Sequence, residues 1–209
     1  MKRVFLLSPA NCNGVRAGWI LRRNARSDIA KRLRDSEGVP LGEVYSFLSA
    51  LYFRGKLTYA RAFAKPPLPS AGVMIITPTA GLMPDGATVR LSTLRGFSRV
   101  PINVKNRRYR TAFLRGLRQL AGDVGADCEI ILLGSIASGK YLELVQQVFA
   151  DQLKVPAEFI GLGDMSRGAL LLRCVKEQRE LSYVSVASAS KRRLPATLET
   201  AQPTITEIL

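Results

Sequence analysis

The residues in this chain with types suited to chemistry are small hydroxyls, a few charges and glycine-rich backbone gathered just after four apolar runs. Ser8 and Asn11 follow Val4-Phe5-Leu6-Leu7, and Thr77 and Thr79 follow Val73-Met74-Ile75-Ile76. Gly134, Ser135, Ser138, Gly139 and Lys140 follow Ile130-Ile131-Leu132-Leu133, while Asp164, Ser166 and Arg167 follow Phe159-Ile160-Gly161-Leu162. Backbone N–H groups, hydroxyls and a cation at such positions suit an anionic or heterocyclic ligand. Histidine is absent from the chain, which excludes Ser–His and Cys–His pairs and histidine metal sites. Lys140 and Asp164 are then the candidates for catalytic proton transfer or charge stabilisation.

The segment 134–141 fits the first seven positions of Gly-x-x-x-x-Gly-Lys-Ser/Thr, after an apolar run and before a helical stretch. Such a loop cradles phosphate with backbone N–H groups while its lysine reaches an outer phosphate. Tyr141 stands where a small hydroxyl would hold magnesium, and the loop follows a late strand, so a nucleotide triphosphatase is disfavoured. An anion-binding loop of another kind, or a plain strand-to-helix turn, remains. In the segment 163–168, Ser166 suits a helix cap, and Asp164 suits a salt bridge or a general base. Cys12, Cys128 and Cys174 show no metal-ligand spacing. They read as reduced thiols, with Cys12 the one placed to be reactive near a strand end. No metal and no cofactor is expected.

Charge adds a partner. The net charge is +15, and residues 1–121 hold 22 Lys+Arg against 5 Asp+Glu, whereas residues 122–209 hold 9 against 11. A field so concentrated attracts polyanions, nucleic acid above all, DNA rather than RNA. Three clusters carry it. Lys105, Arg107, Arg108 and Arg110 surround Tyr109, which could stack a base. Arg22, Arg23 and Arg26 form a second cluster. Arg54, Lys56 and Arg61 form a third, interleaved with aromatics; with Tyr59 they suit the lining of the crevice, while Tyr52, Phe53 and Phe63 suit the core. A solvated basic surface is the plainer alternative for each.

These groups need a scaffold, and the four apolar runs supply it. Continuous apolar stretches are the signature of parallel strands buried on both faces, and ligands of open α/β sheets bind at the carboxyl ends of such strands. Helical stretches are expected over 25–34, over 41–64 with a division at Gly55, and over 109–121, 141–153 and 166–176. Residues 181–186 read as a short edge strand, and 85–104 as an excursion with little regular structure. The expectation is an α/β fold of three layers, a mostly parallel sheet flanked by helices, in a single domain over 1–187 with a flexible tail over 188–209. No apolar stretch approaches the roughly 18 residues of a membrane span, and the N-terminus is too short in apolar residues for a signal peptide. A cytoplasmic protein is expected.

Leu6-Leu7-Ser8-Pro9-Ala10 resembles the opening of the YaaA peroxide-stress-resistance family, whose first strand runs into Leu-Ser-Pro-Ala-Lys; Asn11 stands here in place of that lysine. Further along, Tyr52 to Leu57, Thr79-Ala80-Gly81-Leu82, Ile130 to Tyr141 and Ser166-Arg167-Gly168 are similar to later segments of that family in the same order. The resemblance implies an α/β fold with nucleic-acid affinity and a role in stress response or DNA maintenance. It implies no catalytic residues. The function expected is a nucleic-acid-binding protein with a ligand crevice at the strand ends. The alternative is a small enzyme acting on a nucleotide or base through the 134–141 loop and Asp164.

Overall fold

Val4 to Leu7 offer no polar side chain, so this strand is stable only where both sheet faces are covered. The computed structural model, which describes residues 1–136 and 140–193, places it there as β1 (Lys2–Leu7). Val4, Phe5, Leu6 and Leu7 are all fully buried. Side chains alternate across a strand, so Phe5 and Leu7 enter one core while Val4 and Leu6 enter another on the opposite face. The fold is α/β, with a mostly parallel sheet of six strands between two layers of helices.

In chain order the remaining elements are α1 (Val15–Leu21), α2 (Asp28–Arg32), β2 (Val39–Pro40), α3 (Leu41–Phe63), β3 (Val73–Thr77), β4 (Gly81–Pro84), β5 (Thr88–Val89), α4 (Leu91–Ser98) and α5 (Arg107–Val124). Then follow β6 (Cys128–Leu133), α6 (Leu142–Phe149), β7 (Leu153–Pro156), α7 (Asp164–Lys176), β8 (Tyr183–Ser185) and α8 (Val186–Arg193). The sheet order is β4-β3-β1-β6-β7-β8. β3, β1, β6 and β7 run parallel, with β4 and β8 antiparallel at the two edges. Chain from β1 crosses to β3 on one side and later returns to β6 on the other. The carboxyl ends of β1 and β6 therefore flank the point where strand order reverses, which is where an open α/β sheet leaves a crevice.

Several elements differ from the sequence expectation. The fourth parallel strand is Leu153–Pro156, not Phe159–Leu162. Leu153 and Val155 fill the second core, while residues 157–159 turn in a short 3-10 helix and Gly161 takes a positive φ of 77°. Apolar run length favoured the wrong segment, because Lys154 interrupts the true strand. α6 accordingly stops at Phe149. Residues 85–104 contain β5 and α4, where Leu91, Leu94 and Phe97 mark one side of a helix too short to stand out. Gly55 does not divide α3. The break lies at Ala50, whose φ is 48°.

Gly55 serves a different purpose. A Cβ there would lie 2.7 Å from the carbonyl oxygen of Gly168, and a Cβ on Gly168 would lie 2.9 Å from Cα of Tyr52. The pair lets α3 and α7 cross backbone to backbone. That crossing brings residues 52–56 of α3 beside the amino end of α7 and the end of β1. The expected tail from residue 188 also begins too early: α8 runs to Arg193, and Ala189 is buried in the second core. Residues 194–209 lie outside the described residues.

Candidate functional site

A cleft of about 660 Å³ opens at the carboxyl ends of β1 and β6. Ser8 to Asn13 form its floor, with Pro78 from the turn after β3 and Ser135, Lys140 and Tyr141 from the segment after β6. Phe97, Val100, Pro101 and Ile102, which include and follow the end of α4, make an apolar wall. Tyr52 of α3 and Asp164 of α7 close the opposite side. The expected crevice at the strand ends is present, and it joins Ser8, Asn11, Ser135, Lys140 and Asp164.

Behind the cleft lining, Lys56 reaches Ser8 and Tyr52 from within the protein. Lys56 is 1% exposed. Its Nζ lies 2.7 Å from the backbone oxygen of Ser8 and 2.7 Å from Ser8 Oγ. The rings of Tyr52 and Phe53 sit 4.6 and 4.9 Å from the same nitrogen. Among the described residues no carboxylate is within ion-pair distance of Lys56. Burial pushes the lysine down to about 7, and the more distant Asp164 carboxylate opposes that shift. The amine thus changes charge near neutrality, facing Ser8 from β1, Tyr52 and Phe53 from its own helix and Asp164 from α7.

Lys56 was expected to meet nucleic-acid phosphate, and that expectation is corrected: a side chain so enclosed cannot reach a backbone outside the protein. The sequence did carry a signal. Leu48, Tyr52, Lys56 and Ala60 repeat every four residues and are all buried. A lysine on the apolar stripe of a helix is an exception that needs a partner.

The neighbours of this pair are tightly held. Gly134 sits so close to Tyr141 and Ser8 that a Cβ would lie 2.7 Å from the Tyr141 hydroxyl and 2.9 Å from Ser8 Cβ. The Ser135 N–H donates to Tyr141 Oη at 2.8 Å, and the Ser8 N–H donates to the Leu133 oxygen at 3.1 Å. Tyr141, in the position a phosphate loop gives to a small hydroxyl, therefore turns its hydroxyl back onto Gly134 and Ser135. Ser138 and Gly139 lie outside the described residues. Tyr52 belongs to the first core, as expected, and also lines the cleft, and its buried hydroxyl makes no hydrogen bond of normal geometry beside the Arg167 guanidinium. Burial raises its ionisation well above the usual tyrosine value.

Other expected site residues have structural duties. Thr77 is fully buried; its hydroxyl donates to the Gly81 oxygen at 3.0 Å and accepts from the Ala80 N–H at 3.1 Å, closing the β3–β4 turn. Asn11 accepts from the Asn13 N–H at 2.9 Å while remaining on the cleft floor. Ser166 is exposed inside the first turn of α7, whose cap position is Gly163, so it does not cap the helix. Arg167 donates to the Phe159 oxygen at 3.0 and 3.3 Å and lies 3.6 Å from Asp164. It lines a neighbouring pocket of about 370 Å³ with Gly134 and Ser135. Cys12 is buried beside Tyr45, and burial pushes its thiol up to about 11, so it is no reactive thiolate.

The basic clusters separate in the same way. Tyr109 is fully buried, stacked on Phe113 at 5.4 Å, and its hydroxyl donates to the Lys140 oxygen at 3.0 Å. It is a core residue, not a base-stacking one. Its neighbours Lys105, Arg107, Arg108 and Arg110 are exposed at the start of α5. Arg107 and Arg108 share a groove with Thr79, Thr111 and Arg115. Arg22, Arg23 and Arg26 are exposed beyond α1, where Arg34 binds the carbonyl oxygens of the first two. Arg54 lies in a separate groove with Arg16, Asp28 and Glu43, and Arg61 pairs with Asp85 at 2.6 Å. Tyr59 is buried in the first core, bonded to Tyr183 and to the Leu181 N–H. None of Arg54, Lys56, Tyr59 and Arg61 is among the residues that line the cleft.

Among the described residues no group of three or more Cys, Asp and Glu side chains is placed to hold a metal ion. No helix among them is long and apolar enough to cross a membrane. No family model, no curated protein and no solved structure matches this chain significantly.

Proposed function

We propose that the protein binds nucleic acid, DNA rather than RNA, with its cationic surface on the phosphates and the strand-end cleft accepting a base or nucleotide. The observation that supports this reading is the link, through Tyr109, between the cleft at the strand ends and the cationic start of α5. Tyr109 ties the first turn of α5 to the Lys140 backbone, so Lys105, Arg107 and Arg108 begin beside the cleft that Lys140 lines. Among the described residues the ion pairs use Arg3, Arg32, Arg61, Arg167 and Arg179, which leaves the α5 cations uncompensated. Uncompensated cations beside a cleft attract and orient a polyanion.

The same reading makes this a cytoplasmic, YaaA-like protein of stress response or DNA maintenance. Three free, buried cysteines suit a reducing compartment. Binding to single- and double-stranded DNA and to RNA of equal length, titrated against salt, tests it. Affinity should fall steeply with salt, and failure to bind either DNA at low salt would overturn the reading. A second reading, an enzyme acting on a nucleotide or base, draws on Lys140 and Asp164 sharing the cleft with Ser8. Turnover of nucleotides by the native chain, lost in Lys140→Ala, would support it; no turnover of any nucleotide would count against it.

A further inference from the structure

A lysine enclosed among aromatic rings and hydrogen-bonded to a serine at a cleft is more than a buried cation. Ser8 stands at the cleft floor with its Oγ 2.7 Å from Lys56 Nζ. The Ser8 carbonyl holds the same amine at 2.7 Å and fixes its position. The geometry points to a serine–lysine dyad in which Ser8 is a nucleophile, Lys56 its general base, and the substrate a carboxylic ester with an apolar acyl group. The nucleophile and base are within hydrogen-bond reach, as such a pair requires. Burial that leaves the amine able to be neutral near pH 7 supplies the base without histidine. The apolar wall of Phe97, Val100, Pro101 and Ile102 favours an apolar acyl group. This inference is independent of nucleic-acid binding.

The chemistry balances without an oxidant or reductant. Ser8 Oγ attacks the ester carbonyl carbon as its proton passes to neutral Lys56 Nζ. The tetrahedral intermediate collapses, the bond from the carbonyl carbon to the leaving oxygen breaks, and the Lys56 ammonium returns the proton to the departing alcohol. An acyl ester remains on Ser8. Water then attacks that ester as Lys56 takes its proton, the bond to Oγ breaks, and Oγ recovers the proton to release a carboxylic acid. Asn11 and Lys140 line the same cleft and are the candidate donors for the oxyanion.

A fluorophosphonate probe and p-nitrophenyl butyrate test the dyad on the full chain. The probe should add once, on Ser8 by peptide mapping, and the labelling rate should rise several-fold through about pH 7 as Lys56 loses its proton. Ser8→Ala should lose the adduct and the ester hydrolysis. Lys56→Met should lower the labelling rate at least about 100-fold, the lower bound of a general-base contribution. Absence of an adduct, an adduct on another residue, or labelling unchanged by Lys56→Met would overturn the dyad and leave Lys56 a structural pin for the Ser8 carbonyl. If Lys56→Met does not fold, the native pH profile decides: a flat rate between about pH 5.5 and 8.5 overturns the proposal. DNA affinity of the native chain, measured on the same preparation as the probe reaction, separates failure of this proposal from failure of the nucleic-acid reading.

Discussion

Replacing Lys56 with methionine should abolish a rise in stability that the native chain shows between about pH 7 and pH 9. In the unfolded chain the amine titrates at its ordinary value of 10.5, and in the folded chain burial lowers it to about 7. Between those values the unfolded chain binds the extra proton, so stability increases with pH. Below the folded value both states are charged, and the folded state bears the whole penalty of a buried ammonium. The gap corresponds to on the order of 5 kcal/mol across the full window. At about 1.4 kcal/mol per pH unit, tempered near the folded value, the native chain should gain roughly 2 kcal/mol on Lys56→Met from pH 7 to 9. With a urea slope of about 2 kcal/mol/M that is a relative midpoint shift of about 1 M. Above pH 9 the raised tyrosines and Cys12 act in the opposite sense, because their unfolded forms ionise first. Subtracting the two chains' curves removes that common part. Urea denaturation followed by circular dichroism at several pH values is the assay. Parallel curves from about pH 6 to 9 would show that Lys56 does not titrate as its surroundings require.

Three further outcomes follow from the same geometry. Gly55→Ala should lower stability by about 1–3 kcal/mol in urea melts, since the added carbon meets the Gly168 carbonyl at 2.7 Å with backbone on both sides; an unchanged midpoint would contradict the close crossing. Arg107→Ala with Arg108→Ala should reduce the salt slope of DNA binding by about 1.8, two phosphate contacts, whereas Arg61→Ala, already paired with Asp85, should leave it near the native value. Tyr109→Phe should cost about 1 kcal/mol by losing the bond to the Lys140 carbonyl, and Tyr109→Ala about 3–5 kcal/mol by opening the core; equal losses measured by thermal melting would place the ring at the surface.

The parts of the fold legible in the sequence are those where one physical demand dominates. Val4 to Leu7, Val73 to Ile76 and Ile130 to Leu133 must be covered on both sides, and each forms a central strand. Where two demands compete, the reading failed. Phe159 to Leu162 is more apolar than Leu153 to Pro156, but Gly161 turns the chain, while the less apolar segment pairs with β6. Gly55 is a weak helix former, which suggested a break, but the absence of its side chain serves the approach of α7. Ser8 and Asp164 were legible because they follow apolar runs. Neighbouring cations and aromatics point Lys56 to phosphate and to the crevice, whereas its own four-residue spacing with Leu48, Tyr52 and Ala60 marks the buried face.

That misassignment bears on how the cleft acts. Natural sequences agree locally and globally except where function demands otherwise. A buried lysine conflicts with the apolar face it occupies, and among the described residues the oxygen partners of its nitrogen come from Ser8. A methionine at this position would fill comparable space without the charge. The Ser8 carbonyl alone gives a reason to keep a donor, but not one enclosed until it titrates near neutrality. The same amine also meets a serine hydroxyl at the reversal point of the sheet, at the floor of a cleft. Retaining a structural pin would predict that Lys56→Arg, which keeps a donor, costs only repacking. Retaining a base predicts instead that the arginine, always protonated, removes labelling of Ser8 even if the cleft persists. The two roles therefore part at one substitution, with circular dichroism and the urea midpoint as the measure of an intact fold and probe attachment as the measure of the cleft's chemistry.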